Sequence, residues 1–405
     1  MNLARESEIR THWRVLAGVC TLTLAAPIPI VIRPFSLYIE PWRTEFGWTT
    51  GQMSLAVSVF VWTLALCAPL LGWLADRYST KALVRAFGTA YCIGLISVGR
   101  NTGNLGLFYV SFFCLGLSGL GISTLVYTKL LSQYFHKSLG AALACLMFAT
   151  ALSAIVTPVL VQRIMRAEGW RACWYCLAAA AFLDFLLMSA RLPPPLHMAP
   201  SASRSLGAAV LRSREFRLLT GIGVLLAVMA DTCSVHLVPL MREAGADAGV
   251  AGAGLAILGA GALVGRLGTG FLLDRRPAIE AVILGATSAV LGLVLLVVGG
   301  DGPALAGCYL LGQASGCEMD IVPYLIKQYY GAVHFGEVSG AMSAIIWSSA
   351  AGAVWLMGLS RDAMGSYKPM LLLLIIAAAP TFALTGMLFR TRPPTKATAP
   401  AGEPV

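Results

Sequence analysis

The sequence GWLADRYSTK, at residues 72–81, follows a long apolar stretch and returns in part as GFLLDR at residues 270–275. Three residues recur at an offset of 198 positions: Gly72, Asp76 and Arg77 return as Gly270, Asp274 and Arg275. A second group recurs at the same offset of 198: Pro41, Glu45 and Gly47 return as Pro239, Glu243 and Gly245. Repeated coincidence at one offset indicates an internal duplication, so the sequence predicts two similar halves fused in parallel.

The composition indicates a membrane protein. Of the 405 residues, 58% are hydrophobic and only 12% are charged, and the mean hydropathy is +0.77. A soluble domain carries about 25% charged residues, because its surface must face water. The apolar stretches are continuous and rich in Leu, Ala and Gly, without the alternation of a membrane β-barrel. We therefore predict an all-α membrane protein whose main surroundings are the lipid bilayer.

Twelve apolar stretches are long enough to cross a hydrocarbon core, which needs about 20 helical residues. We predict these spans at residues 15–39, 52–74, 82–100, 105–130, 139–162, 172–190, 217–241, 250–272, 278–299, 303–327, 337–359 and 367–389. The predicted organisation is an N-terminal six-helix half, a cytoplasmic linker, a C-terminal six-helix half and a disordered tail, at residues 1–190, 191–216, 217–390 and 391–405. Parallel repeats place a substrate site on their common axis, where rocking exposes it to either side of the membrane.

The basic residues favour one orientation. Most of the 29 Lys and Arg fall in segments on the side of the two termini, and such an excess marks the cytoplasmic side. We expect a multi-pass protein of a bacterial inner membrane with both termini in the cytoplasm. The net charge of +10 is dispersed over many loops, so no nucleic-acid partner is expected. Cys173 and Cys176 form a C-x-x-C spacing without a second pair or a nearby His, so we expect no metal. We also expect no cofactor, and we expect a monomer.

The segment 72–81 resembles the signature G-x-L-x-D-R-x-G-R-[KR] of the major facilitator superfamily, with Ser79 in place of a glycine. The resemblance implies a twelve-helix secondary transporter built from two pseudo-symmetric six-helix bundles. It also implies a conformational latch, formed by Gly72, Asp76, Arg77, Lys81, Gly270, Asp274 and Arg275. In such a latch the glycine would let two helices approach closely, and the carboxylate would cap a helix or pair with a basic residue.

Finer features resemble the branch that holds monocarboxylate and oxalate–formate transporters and their bacterial relatives. The matching stretches are RPFSLYIEP at 33–41, HLVPL at 236–240, GR at 265–266 and GCEMD at 316–320. In that branch an arginine at the position of Arg266 binds the substrate carboxylate. The oxalate transporters carry a second cation in helix eleven, where this chain has Ser343, Trp347, Ser348 and Ser349. A dicarboxylate site with two cations therefore loses support.

Charged residues within the predicted helices indicate a candidate site, because each costs about 2.5–3.5 kcal/mol at mid-bilayer. Arg266 could bind a carboxylate with two parallel hydrogen bonds, or it could pair with an acid of helix ten. Arg33 lies in a first helix interrupted by Pro27, Pro29 and Pro34. It could bind the anion, or it could extend its charged group to the outer interface.

Three carboxyl groups are candidates for carrying a proton, because a carboxyl removed from water binds a proton more readily. Asp231 lies 198 residues after Arg33, so the two are expected to face each other across the axis. In that position they could form an arginine–aspartate bridge, and protonation of Asp231 would then free Arg33 for the substrate. Glu318 and Asp320 are two residues apart and lie on different helix faces, and either could carry the proton or pair with a basic residue. Further candidates for the substrate site are Trp347, Ser348 and Tyr324.

The sequence thus predicts a secondary transporter that takes up a small organic anion, a monocarboxylate, together with protons. The intramembrane arginines indicate the anion, and the intramembrane acids indicate the proton. An anion exchanger or an exporter of the same fold remains open, and a transport-dead membrane sensor is a remote alternative. An enzyme is not expected, and no catalytic residue is proposed, because no metal triad, nucleophile–base pair or phosphate-binding loop is found. The identity of the substrate does not follow from the sequence.

Overall fold

The computed structural model describes residues 2–192, 208–331 and 334–390, and almost all of these residues are helical. The first helices are α1 (Asn2–Leu24), α2 (Phe35–Phe46), α3 (Thr50–Leu66), α4 (Ala68–Arg77), α5 (Thr80–Gly99), α6 (Leu105–Gly119), α7 (Thr124–Tyr134) and α8 (Leu139–Arg191). The remaining helices are α9 (Ala208–Leu211), α10 (Arg214–Glu243), α11 (Ala248–Arg275), α12 (Ala278–Val298), α13 (Asp301–Tyr330), α14 (Phe335–Met364), α15 (Lys368–Ile376) and α16 (Ala378–Arg390). No β-strand occurs within the described ranges.

The first membrane crossing is interrupted, as its three prolines predicted. After α1 ends at Leu24, a short π-helix, Ile28–Ile32, precedes α2. Proline lacks a backbone N–H, so a regular ladder of hydrogen bonds cannot pass through this stretch. The N–H of Arg33 donates instead to the carbonyl oxygen of Ile28 over 3.2 Å, and this wide turn ends at the arginine. Single π-turns are frequent at functional sites.

The long helix α8 contains two crossings. At Gly169 the backbone takes a φ of +82°, a left-handed value that glycine adopts without a steric penalty. The second arm folds back on the first, since the Sγ of Cys173 lies 3.5 Å from the carbonyl oxygen of Val161. Arg171 binds Glu45 at the end of α2 through both of its terminal nitrogens, at 3.0 and 2.5 Å. The predicted break between the fifth and sixth spans is therefore confirmed.

Nine helical stretches among the described residues are long and apolar enough to cross a bilayer, and one of them is α8 with its two arms. The α3–α4 pair and α13 complete twelve crossings, so the predicted all-α fold with twelve membrane helices is confirmed. Successive crossings run in opposite directions. We call the side that holds the loops at 47–49, 100–104, 244–247 and 365–367 the distal side. The opposite side, where the first crossing begins, is the terminal side.

Helices α11 and α13 pack with their backbones almost in contact. A Cβ atom added at Gly312 or Gly316 of α13 would collide with backbone atoms of α11. Small residues allow this approach, and in a membrane they are a main source of helix association. The contact places Arg266 of α11 beside Asp320 of α13.

The predicted linker, 191–216, is described only at its ends, because residues 193–207 lie outside the described structure. The predicted tail, 391–405, also lies outside it. The seventh crossing begins earlier than predicted, since α10 starts at Arg214. The cause is a helix cap: the hydroxyl of Ser213 accepts a hydrogen bond of 3.2 Å from the backbone N–H three residues further on.

Candidate functional site

A cavity of about 100 Å³ lies between the two sets of six crossings. Its walls come from the π-helix, α3, α10, α13 and α14. Most lining side chains are apolar, and the polar exceptions include Arg33, Asp231 and Ser234. A concave, mostly apolar space with a few polar groups is the usual form of a small-molecule site. Its place between two structural repeats is where transporters of this architecture bind their substrates.

Arg33 ends the π-helix and lines this cavity. Its Nε–H is buried and has no hydrogen-bond acceptor among the described residues. A permanently charged group with an unmet donor is costly away from water. An anionic ligand that supplied the missing acceptor would therefore gain binding free energy at Arg33. An arginine that is already paired would not provide this gain.

Asp231 of α10 lines the same cavity, in keeping with its offset from Arg33 in the duplicated sequence. The buried hydroxyl of Ser315, on α13, donates to the Oδ1 of Asp231 over 2.9 Å. No ion pair joins the described side chains of Arg33 and Asp231. The bridge expected from the sequence is thus absent in this conformation, and the two opposite charges share one poorly solvated space without a direct contact.

Arg266 and Asp320 do form an ion pair, with 3.5 Å between Nη2 and Oδ1. Their side chains are 24% and 29% exposed, and neither lines the cavity of Arg33. The Nη2 of Arg266 also lies 3.5 Å from the sulfur of Met147, on the first arm of α8. Of the two interpretations of Arg266 that the sequence left open, this conformation displays the pairing with an acid of helix ten.

The other predicted site residues are divided between the cavity and its surroundings. The side chain of Trp347 lines the cavity. Ser348 offers its backbone carbonyl to an indole N–H of α3, and its own hydroxyl is buried without a partner among the described residues. Glu318 is only 5% exposed, whereas Tyr324 is 38% exposed, and neither lines the cavity.

The two copies of the predicted latch end α4 and α11 on the terminal side. The guanidinium of Arg77 lies 4.6 Å from the ring of Trp73, and that of Arg275 lies 3.6 Å from the ring of Phe271. Each arginine thus makes a cation–π contact within its own helix. Asp274 is exposed beside the second arginine.

The structure describes the glycines of the latch only in part. For Gly72 and Asp76 the structure describes the backbone alone, and the latch role of this copy with Lys81 stays a prediction. At Gly270 an added Cβ would meet no atom within 4 Å. None of the described helices comes close to this face of α11 in this conformation, and the close helix approach at Gly270 stays a prediction.

Sequence reasoning missed a polar cluster at the distal ends of α3, α10 and α14. Asp362 accepts hydrogen bonds from the backbone N–H groups of Thr50 and Gly51, at 2.9 and 2.6 Å. Buried His236 lies 3.0 Å from the carbonyl oxygen of Val354 and so joins α10 to α14. A T-x-x-Q capping box at 49–52 marks the start of α3 in the sequence, but nothing local indicates the partner across the interface.

Known proteins similar to this chain are membrane transporters. The sequence profile of the Major Facilitator Superfamily matches residues 16–355. MFS transporter asaE from Aspergillus flavus is 24% identical over 382 residues, which cover 89% of this chain and 82% of that protein. Monocarboxylate transporter 13 from Bos taurus is 24% identical over 271 residues, which cover 65% of this chain and 62% of that protein.

A solved structure of a POT family transporter, in complex with a thioalcohol-conjugated peptide, has the same fold. It matches with a TM-score of 0.75 at 13% identity, over 94% of this chain and 96% of that chain. The profile match spans most of the chain, and the twelve crossings agree with it. This chain therefore belongs to the Major Facilitator Superfamily and is a multi-pass membrane transporter.

Proposed function

We propose that this transporter moves a small organic anion, a monocarboxylate, across a bacterial inner membrane by alternating access coupled to protons. One observation carries the proposal: Arg33 lines the central cavity with a buried Nε–H that no described residue accepts. A carboxylate is a planar acceptor that a guanidinium binds through two parallel hydrogen bonds. Arg33 is better placed for this than Arg266, whose guanidinium already lies 3.5 Å from Asp320.

The remaining walls favour an anion with a single carboxylate and an apolar body. Aliphatic side chains such as Val57 and Val61 line the cavity together with the ring of Trp347. A second carboxylate would lose its hydration against these walls, or it would meet the like charge of Asp231. The similarity to Monocarboxylate transporter 13 supports the same class of substrate.

Asp231 is the proton carrier that the geometry supports best, since it is the carboxyl that lines the cavity with Arg33. When ionised, it attracts the guanidinium and competes with the anion. When protonated, it leaves the guanidinium to the substrate. One proton and one anion together add no net charge to the site, which lowers the cost of moving both through the membrane. Glu318 and Asp320 are secondary candidates for the same role.

Whether protons and the anion move in the same direction can be tested by imposing a pH gradient across the membrane. The proposal places both termini in the cytoplasm, so the distal side faces the outside of the cell. An inside-alkaline pH gradient should drive uptake into liposomes that contain no internal anion. Uptake that requires an internal anion and ignores the pH gradient would instead identify an exchanger.

The test of the substrate class is a counterflow assay with purified protein in liposomes. Pyruvate, L-lactate, 2-oxoisovalerate and benzoate are the monocarboxylate probes, and succinate and oxalate are the dicarboxylate probes. We expect exchange of one or more monocarboxylates and not of the dicarboxylates. Arg33→Ala should reduce that exchange by about a hundredfold, the usual effect of removing one partner of a desolvated charge pair. Arg33→Lys should retain part of it, because lysine keeps the charge without the planar fork.

The matched control is Arg43→Ala, which removes an exposed arginine from the distal end of α2. It should leave counterflow unchanged. If folded Arg33→Ala exchanged monocarboxylates as fast as the wild type, Arg33 would not be the carboxylate ligand. If the wild type exchanged neutral or cationic probes and no monocarboxylate, the proposed substrate class would be wrong.

A further inference from the structure

The first turn of α3, on the distal side, is capped from two sources. A helix start leaves its first N–H groups without intrahelical partners. Here two are met locally: the N–H of Thr49 donates to the Oε1 of Gln52 over 3.0 Å, and the N–H of Gln52 donates to the hydroxyl of Thr49 over 3.3 Å. The other two, from Thr50 and Gly51, donate to the two carboxylate oxygens of Asp362, at 2.9 and 2.6 Å. Asp362 belongs to α14, so one half of the transporter completes the cap of a helix in the other half.

Two glycines allow the helices to come this close. A Cβ at Gly51 would lie 2.8 Å from the Cδ2 of Leu359 on α14. A Cβ at Gly358 would lie 2.6 Å from the Oγ of Ser54 and 2.9 Å from the Cα of Gly51. A larger side chain at either glycine would push the helices apart and take the carboxylate out of reach of the helix start.

The contact continues from the distal end toward the cavity. The hydroxyl of Ser58 donates to the carbonyl oxygen of Ala351 over 2.6 Å, and the indole N–H of Trp62 donates to that of Ser348 over 3.0 Å. Ala351 is itself one of the lining residues of the Arg33 cavity. The contact between α3 and α14, which we call the distal seam, therefore separates this cavity from the distal side along these two helices.

The end of α14 is fixed within its own half. The Nε of Arg361 lies 2.9 Å from the Oε2 of Glu243, at the end of α10. The Oε1 of Glu243 accepts hydrogen bonds from the hydroxyl of Ser366 and the backbone N–H of Tyr367, at 2.6 and 2.8 Å. Asp362 is thus presented by a helix end that is held in place within its own half, so a movement of the C-terminal half carries the carboxylate away from α3.

We propose that Asp362 is the lock of the distal seam. Before the cavity opens to the distal side, the N–H groups of Thr50 and Gly51 must leave the carboxylate and bind water instead. The positive end of the α3 dipole adds to the attraction of the carboxylate. The lock therefore favours the conformation closed on the distal side. It acts on the balance between conformations and holds whatever the cargo is, so its test needs no substrate.

A second seam between the halves, formed by α8 and α11, has no equivalent lock in the described structure. At the start of α11 the N–H of Asp247 donates to the Oδ1 of Asp301 over 3.1 Å, and both residues belong to the C-terminal half. Gly252 of α11 faces the amide side chain of Gln162. Asp301 therefore offers a matched control: its carboxylate also meets a helix start on the distal side, but the contact does not cross the interface.

The experiment measures the opening of the seam by double electron–electron resonance on the full chain in nanodiscs, with the ten native cysteines replaced. One spin-label pair, at Thr102 and Val298, reports on the distal side, and a second pair, at His136 and Arg276, reports on the terminal side; all four positions are exposed. We expect Asp362→Ala to raise the ratio of distally open to distally closed protein about fivefold, the usual effect of losing a helix cap. For the spin-label pair on the terminal side, the population with the shorter distance should rise by the same factor.

A second variant keeps the carboxylate and removes one donor. Thr50→Pro has no N–H at the first helical position, where proline is well tolerated, and it should shift the ratio in the same direction by a smaller factor. Thr50→Ala retains the N–H, so it should change the ratio of open to closed protein less than Thr50→Pro does. Asp301→Asn should leave the distal distances at wild-type values. If Asp362→Ala and Thr50→Pro gave the wild-type distance distributions, the lock would be refuted, whatever the counterflow assays showed.

Discussion

The transporter holds two arginine–aspartate pairs within its helices, and they differ in how the partners meet. Arg33 and Asp231 belong to different halves, line one cavity and form no ion pair, and Asp231 is held instead by the hydroxyl of Ser315. Arg266 and Asp320 lie on neighbouring helices of one half, 3.5 Å apart.

The difference follows from helix packing. Because Gly316 brings the backbones of α11 and α13 almost into contact, the distance between Arg266 and Asp320 is set within a single rigid half. Arg33 and Asp231 stand on opposite sides of the interface along which the halves rock, so their separation changes with the conformation. A pair inside one half contributes to stability, whereas a pair across the moving interface can exchange partners with a ligand or a proton.

Neutralising the carboxylate of the cavity tests this contrast most severely. Asp231→Asn imitates the protonated state permanently, so Arg33 stays available to the anion but no proton is released. We expect uptake driven by a pH gradient to be lost almost completely, because the variant has no carboxyl group that could bind and release the proton. Counterflow, which needs no net proton movement, should persist within about threefold. Both rates are measured on the same liposome preparation with the monocarboxylate that the wild type exchanges.

Asp247→Asn is the control for that experiment, because it neutralises an exposed carboxylate at the start of α11 that makes no side-chain cap. It should leave both rates unchanged. Equal losses of counterflow and of proton-driven uptake in Asp231→Asn would show that Asp231 supports the site without carrying the proton.

Substitutions in the Arg266–Asp320 pair should affect the stability of the protein more than its transport rate. Asp320→Asn or Arg266→Gln leaves one partly buried charge without its partner, at a cost of about 1–2 kcal/mol for side chains that water still reaches. Each single variant should therefore lower the midpoint of thermal unfolding in detergent by a few degrees. The double variant should recover most of this loss, because no unpaired charge remains.

A counterflow assay shows directly which of the two arginines, Arg33 or Arg266, binds the substrate. We expect Arg266→Gln to retain counterflow within about fivefold, since Arg266 does not line the cavity. If Arg266→Gln abolished counterflow as completely as Arg33→Ala and lost no stability, the carboxylate would bind at Arg266, and the geometry of this conformation would not be that of the loaded state.

The sequence could predict the first pair because a parallel duplication places equivalent residues at equivalent depths on the two sides of an axis. Arg33 and Asp231 are 198 residues apart, and they do line one cavity. The twelve crossings followed from the lengths of the apolar stretches. The start of the seventh crossing did not, because a cap at Ser213 extends the beginning of α10 beyond its apolar part.

The second pair and the distal seam could not be predicted in the same way. Whether Arg266 meets Asp320 depends on how far α11 slides along α13, which is fixed by a glycine contact in three dimensions. The bond between Thr50 and Asp362 joins residues 312 positions apart, and it depends on the angle between two moving halves. A sequence repeat constrains what is common to all conformations, whereas the bond between Thr50 and Asp362 belongs to one of them.

The smallest expected effect concerns the hydroxyl that holds Asp231. Ser315→Ala removes a donor that favours the ionised carboxylate, while the carboxyl group and Arg33 both remain. The carboxyl group is then held less firmly beside the cavity, and proton-driven uptake should slow by about threefold, the usual effect of losing one hydrogen bond. Ser118→Ala is the control, since that buried hydroxyl donates to a backbone carbonyl within α6. Uptake at the wild-type rate in Ser315→Ala would mean that the coupling carboxyl is one that Ser315 does not touch, and Glu318 would then be the next residue to neutralise.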